Sequence, residues 1–323
     1  MKTFIVAATA VIVGALTAYQ SRVNGALAVE TGNGIQAALV SFGTGWLILC
    51  VLLALWRPYR DGVRAVIAAV RSGAMPWWQI IGGLMGGFFV GVQGLTVPLI
   101  GVAVFTVAVV AGQSTNSLIV DRFGLGPAGR QPINGARVLS AALAIVGVVV
   151  AVSDRLSGPV LSSLGPVLLA FSAGLLIAVQ QALNGRVGAV SGRAVSAAFL
   201  NFTFGSLLLG VVFGSAIALS DFDAGVLPSG PWWLYTGGLV GVIFIASAAW
   251  VVQKLGVLLF ALLSVSGQLL GALLLDIFAP TADNTLHWQL AAGVIIVGIA
   301  VAVGGAPRWL NRDRRGQPSP HLR

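Results

Sequence analysis

From Ser72 to Val120 the chain carries no charged residue. That stretch is about twice the ~20 apolar residues that cross a hydrocarbon core as a helix. No water-facing domain accommodates such a run, and one straight helix of that length would protrude from a bilayer. Pro98 lies inside it, and proline lacks a backbone donor and disfavours helix at the residue before it. Two crossings divided at Pro98 are expected. In lipid the backbone must satisfy its own hydrogen bonds, so the spanning segments are helices.

Composition fits that frame. Of 323 residues 57% are hydrophobic and 8% charged, against about 25% charged in soluble domains. The 43 glycines suit close helix packing in lipid. Apolar runs predict an all-α membrane protein with transmembrane helices near 3–21, 34–56, 77–97, 99–120, 136–153, 160–181, 195–219, 232–252, 255–275 and 288–306. The run from Trp232 to Leu275 is divided at Lys254. Trp56, Trp77, Trp78, Trp232, Trp233, Trp288 and Trp309 fall at span ends, where amphipathic rings prefer the headgroup layer. Trp46 and Trp250 have no role in this pattern. Lys2 before the apolar run Phe4 to Ala18 also reads as a secretory signal, but the same segment recurs later in the chain, which favours a first span.

The net charge of +9 does not point to nucleic acid, because the charges sit in short gaps between apolar runs and form no stripe with spaced aromatics. With ten spans, every Lys and Arg except Arg22 and Arg155 falls on the side of the two termini. The positive-inside rule makes that side the cytoplasm and the chain a multi-pass inner-membrane protein. Cys50 is the single cysteine and His287 and His321 the two histidines. They make no internal disulfide, no metal-site pattern and no nucleophile–base pair, so neither a cofactor nor an enzyme is expected.

The chain repeats itself. Ala18-Tyr19-Gln20 with Asn24-Gly25 matches Ala178-Val179-Gln180 with Asn184-Gly185. Ala37-Ala38 and Phe42 to Gly45 match Ala197-Ala198 and Phe202 to Gly205. Trp77-Trp78, Gly82-Gly83 and Gly86 match Trp232-Trp233, Gly237-Gly238 and Gly241. Gly112-Gln113 with Asp121 matches Gly267-Gln268 with Asp276. Blocks shared in one order indicate duplication. The division expected is a first five-helix repeat over 1–156, a second over 157–307 and a basic cytoplasmic tail over 308–323. An odd number of helices per repeat inserts the second repeat inverted, the design of many secondary transporters, with a site near the midplane between repeats.

These blocks, above all Gln20 to Gly25, Ala38 to Gly45 and Gly112 to Asp121, resemble the YdcZ-type inner-membrane proteins of the drug/metabolite transporter superfamily. Such proteins are often five-helix units, and this chain looks like two of them fused. The resemblance implies a transporter and says little of its solute. The repeats differ at Arg22 against Ala182, Glu30 against Val190 and Asn116 against Gly271, which suggests specialised halves.

Polar side chains inside spans are functional candidates. Gln20 with Asn24, and Gln180 with Asn184, share helix faces at a spacing of four. They read either as the lining of a solute path or, for the asparagines, as helix caps. Gln113 and Gln268 lie inside the fourth and ninth spans, with Asn116 on the face of Gln113. They read as solute-binding amides or as interhelical hydrogen-bond glue. The expected site is a central cavity lined by these four glutamines, with Asn24, Asn184 and Asn116 in reach. Amides both donate and accept, and so hold a neutral or singly charged solute.

Carboxylates for ion or proton coupling are Glu30, Asp121 and Asp276. The alternatives are a surface position for Glu30 and solvated helix ends for the two aspartates. Lys254 reads as a snorkelling cation, and Gly83, Gly87 and Gly91 as a packing ridge. The expected function is a secondary transporter of a small polar solute, working as monomer or homodimer. A passive channel or a lipid flippase is the alternative.

Overall fold

The computed structural model describes residues 2–127, 129–130, 132–153, 160–219, 227, 230–255, 257–279 and 288–315. Among these the chain is helical and contains no strand. The helices are α1 (Lys2–Thr31), α2 (Gly34–Leu55), α3 (Arg57–Arg71), α4 (Gly83–Phe123), α5 (Gly135–Val152), α6 (Val160–Ser191), α7 (Ala194–Leu219), α8 (Gly237–Leu255), α9 (Val257–Phe278) and α10 (Trp288–Arg315). Short 3₁₀ turns at Trp77–Ile80 and Trp232–Tyr235 precede α4 and α8. Phe4–Thr31, Gly34–Leu55, Leu164–Ser191 and Val195–Leu219 are each long and apolar enough to cross a membrane, as is the stretch Trp77–Phe123. The protein is an all-α membrane protein.

With its 41 residues, α4 would extend ~60 Å if straight, about twice the hydrocarbon core. It is not straight. Gly101 adopts φ 76°, ψ 167°, a conformation open to glycine and strained for other residues. The rings of Phe89 and Phe105 lie 5.6 Å apart, whereas a straight helix would separate them by ~24 Å. The chain folds back at Gly101, just beyond Pro98, into two limbs packed on each other.

α3 replaces what the sequence presented as a charged loop. Tyr59, Gly62, Val63 and Val66 recur at helical spacing and are buried beside α6 and α7, while Arg57, Arg64 and Arg71 face outward. Arg60 Nη1 donates to the Leu53 carbonyl at 3.1 Å and to that of Ala54, satisfying acceptors that the end of α2 leaves open. The Tyr59 ring meets Phe199 edge-on, and burial pushes its phenol up.

Glycines set the packing between the two halves of the chain, and they do so reciprocally. Gly14 of α1 lies on the Ser264 carbonyl of α9, and Gly267 of α9 on the Val11 carbonyl of α1. Likewise Gly174 of α6 lies on the Val109 carbonyl of α4, and Gly112 of α4 on the Phe171 carbonyl of α6. Gly147 of α5 and Gly293 of α10 face each other. Where α2 meets α7, Gly45 lies under Phe202 and Gly205 under Phe42. Trp46 has its place here, donating from Nε1 to Thr203 Oγ1 at 3.0 Å. The Gly83, Gly87 and Gly91 ridge packs on α7 at Asn201, Gly205 and Leu209. The side chain of Trp250 lies outside the described residues.

Candidate functional site

Neither Asn-Gly pair ends a helix. α1 continues to Thr31 and α6 to Ser191, so the cap expected at Asn24 and Asn184 is corrected. Their glycines serve close approach instead: Gly25 meets Val97 and Pro98, and Gly185 meets Pro127. The longer α1 also takes Arg22, expected in a loop, into the helix body.

Asn24 is fully buried and starts a chain of hydrogen bonds. Its Nδ2 donates to Gln93 Oε1 at 2.8 Å. Gln93 Nε2 donates to Ser21 Oγ at 2.7 Å, and Ser21 Oγ to the Thr17 carbonyl at 3.0 Å. One turn away, Gln20 Nε2 donates to the Gly237 carbonyl at the start of α8, 2.9 Å. Gln93, 1% exposed, was not singled out from the sequence, although it sits mid-span in the uncharged stretch.

A second amide group forms on α6. Gln180 Nε2 donates to Asn201 Oδ1 of α7 at 3.0 Å. The two groups meet the opposite half in equivalent ways. Gly82 faces Asn184 and Gly86 faces Gln180; Gly237 faces Asn24 and Gly241 faces Gln20. Phe42 reaches Gly86, and Phe202 reaches Gly241.

The seven amides expected around one cavity therefore stand in separate places. Gln113 Nε2 donates to Gln181 Oε1 at 3.0 Å, and Asn116 Nδ2 to the Leu175 carbonyl at 2.7 Å. Both tie the second limb of α4 to α6. Gln268 is half-buried on α9.

The carboxylates also separate. Asp276, expected at a solvated helix end, is 3% exposed. Its Oδ1 accepts from Val102 N at 3.2 Å and its Oδ2 from Ala103 N at 2.9 Å. These are donors that the break at Gly101 leaves open at the start of the second limb of α4. Arg22 is the electrostatic partner of Asp276. The equivalent aspartate, Asp121, pairs instead with Arg137 of α5. Glu30 is exposed on the last turn of α1. The side chain of Lys254 lies outside the described residues. Among the described residues no group of His, Cys, Asp and Glu has the makings of a metal site.

The apolar helical bundle thus holds buried amide groups where its two halves meet. A family model described as "Putative inner membrane exporter, YdcZ" matches residues 5–150 and 165–303. The chain belongs to this YdcZ family, as a fused relative carrying two matching segments, and is a multi-pass inner-membrane protein. A solved crystal structure shares the fold, with TM-score 0.51 and 21% identity over 97% of this chain and 98% of its own. No curated protein matches the chain.

Proposed function

We propose that the protein is a secondary transporter that moves a small polar solute across the inner membrane by alternating access between two inverted five-helix repeats. The observation that carries this reading is the reciprocal seating of amides on glycines. Gln20 and Asn24 close on Gly241 and Gly237 of the second repeat; Gln180 and Asn184 close on Gly86 and Gly82 of the first. Inverted repeats carry equivalent residues to opposite sides of the membrane. One seating is then a gate toward the periplasm and the other a gate toward the cytoplasm. With both termini cytoplasmic, as the Lys and Arg distribution predicts, the Asn24 group is the periplasmic gate. The family description favours export.

The solute path runs between the repeats, past Gln20, Asn24, Gln180 and Asn184, with Gln113, Asn116 and Gln268 on the flanking helices. The sequence holds no phosphate-binding P-loop, so a gradient supplies the energy. Arg22 with Asp276, and Asp121 with Arg137, are the charge pairs through which an ion or proton gradient would act; Glu30, exposed, is the remaining carboxylate in this role. Purified protein in proteoliposomes under an imposed proton or sodium gradient tests the class. Accumulation of solute against its own gradient supports a secondary transporter. Equilibration alone identifies a channel, and exchange of labelled lipid between leaflets a flippase.

A further inference from the structure

The two amide groups differ at one repeat position. Ser41 in α2 stands where α7 has Asn201, each just before its half's Phe42 or Phe202. On the α7 side, Asn201 Oδ1 is satisfied by Gln180 Nε2. On the α2 side the serine is too short for that contact, and Gln20 donates to the Gly237 carbonyl instead.

Two buried acceptors remain there. Asn24 Oδ1 and Ser41 Oγ have no protein hydrogen-bond partner, at 0% and 3% exposure of their residues. Both oxygens face Gly237: a Cβ there would overlap Asn24 Oδ1 and come within 2.6 Å of Ser41 Oγ. The chain of bonds holds Asn24 in this sense. Ser21 sends its hydroxyl hydrogen to Thr17 and offers Gln93 only lone pairs, so Gln93 turns its oxygen to the Asn24 amide and leaves the Asn24 oxygen outward. Buried polar atoms without partners are rare and unfavourable. A pair of them converging on a glycine marks a place built for a donor.

We propose that Asn24 Oδ1 and Ser41 Oγ form a solute subsite for a neutral hydrogen-bond donor, a hydroxyl or primary amide group, entered when α8 parts from α1 and α2 at Gly237. The surrounding groups, Gln20, Ser21, Asn24, Ser41 and Gln93, carry no charge with which to compensate a buried ammonium. Asn201 fills the equivalent place in the other half, so the subsite belongs to the Asn24 side alone. This deepens the transporter reading and rests on it for access between the repeats.

The test uses the full chain in detergent, with Ser41→Asn and Ser41→Ala variants, and thermal melting with glycerol, xylitol, glucose and acetamide as probes. Ser41→Asn supplies the partner that the other half already has. The expected result is a higher Tm for Ser41→Asn without probe, together with at least tenfold weaker stabilisation by the neutral donors that stabilise the wild type. Ser41→Ala should keep the wild-type Tm and also lose affinity, which keeps the test decisive if Ser41→Asn does not fold. The proposal is overturned if both variants respond to the probes like the wild type. It is equally overturned if no neutral donor stabilises the wild type, or if methylammonium chloride does so in their place. Flux in proteoliposomes separates the two readings. Wild-type transport by both Ser41 variants removes the subsite and keeps the transporter; probe binding lost as expected, with no gradient-driven accumulation by the wild type, keeps the subsite and removes the transporter.

Discussion

Phe42 of α2 and Phe202 of α7 hold their rings 4.8 Å apart, tilted by 33°, with each ring laid over a glycine of the other half's helix. The pair belongs to one apolar cluster that also takes in Tyr59 and Leu209. Phe42→Ala and Phe202→Ala should each lower stability by ~3–5 kcal/mol, the usual loss for a buried phenylalanine. Their double variant should lose less than the sum, because each substitution already breaks the shared contact. Thermal melting of the three variants checks this.

Asp276 holds the break in α4 in place. Asp276→Ala removes the cap on Val102 and Ala103 and takes a carboxylate away from the part-buried Arg22, and should lower stability by about 1–3 kcal/mol, the usual cost of buried donors left unpaired. Asp276→Asn keeps an acceptor and should lose less. Adding Arg22→Leu to Asp276→Asn should restore part of the loss, because no lone charge then remains. Melting of the single and double variants reads this coupling.

Glycines on backbone carbonyls should not tolerate side chains. Gly14→Val and Gly174→Val should destabilise by ~1–3 kcal/mol or more, since overpacking forces backbone shifts. Gly43 lies in the same kind of helix with nothing near it. Gly43→Ala should stay within about 1 kcal/mol of the parent. Yield of folded protein and Tm together distinguish the two sets.

Orientation follows from charge. Reporter fusions after Arg71 and Arg315 should report cytoplasm, and one after Asp223 the periplasm. A periplasmic signal at Arg71 would contradict the positive-inside reading.

Hydropathy made the crossings legible, because a bilayer imposes one length and one polarity on every span. The predicted 34–56 is close to α2, Gly34–Leu55, and the division at Pro98 lies beside the reversal at Gly101. The repeat blocks Gly82 with Gly86 and Gly237 with Gly241 read in the sequence only as signs of duplication; the structure seats them against the amides of the other half. The sequence was less legible where a residue serves two purposes. Asn24-Gly25 reads as a helix stop, yet the glycine admits Val97 and Pro98 and the asparagine turns inward. The apolar run itself thins out after Ala18, so a span drawn by hydropathy stops near residue 21 and leaves Arg22 outside it. α3 was hidden because its arginines masked the stripe Tyr59, Val63 and Val66. Asp276 looked like a helix end, because its partners on Val102 and Ala103 are remote in sequence. Gln93 gave no repeat signal, because its counterpart is Ala248 and no amide recurs at that position.

Distances at the two gates test alternating access most directly. Glu30 and Trp232 mark one gate, and their repeat counterparts Val190 and Trp77 the other; all four are exposed. Spin-label pairs at these positions, in a Cys50→Ala background, give two distances by electron–electron double resonance. Gly241→Val should push α8 off Gln20 and Phe202, lengthening the Glu30–Trp232 distance while Val190–Trp77 stays short. Gly86→Val should do the reverse. Lengthening of both distances by either substitution would contradict alternating access between the halves.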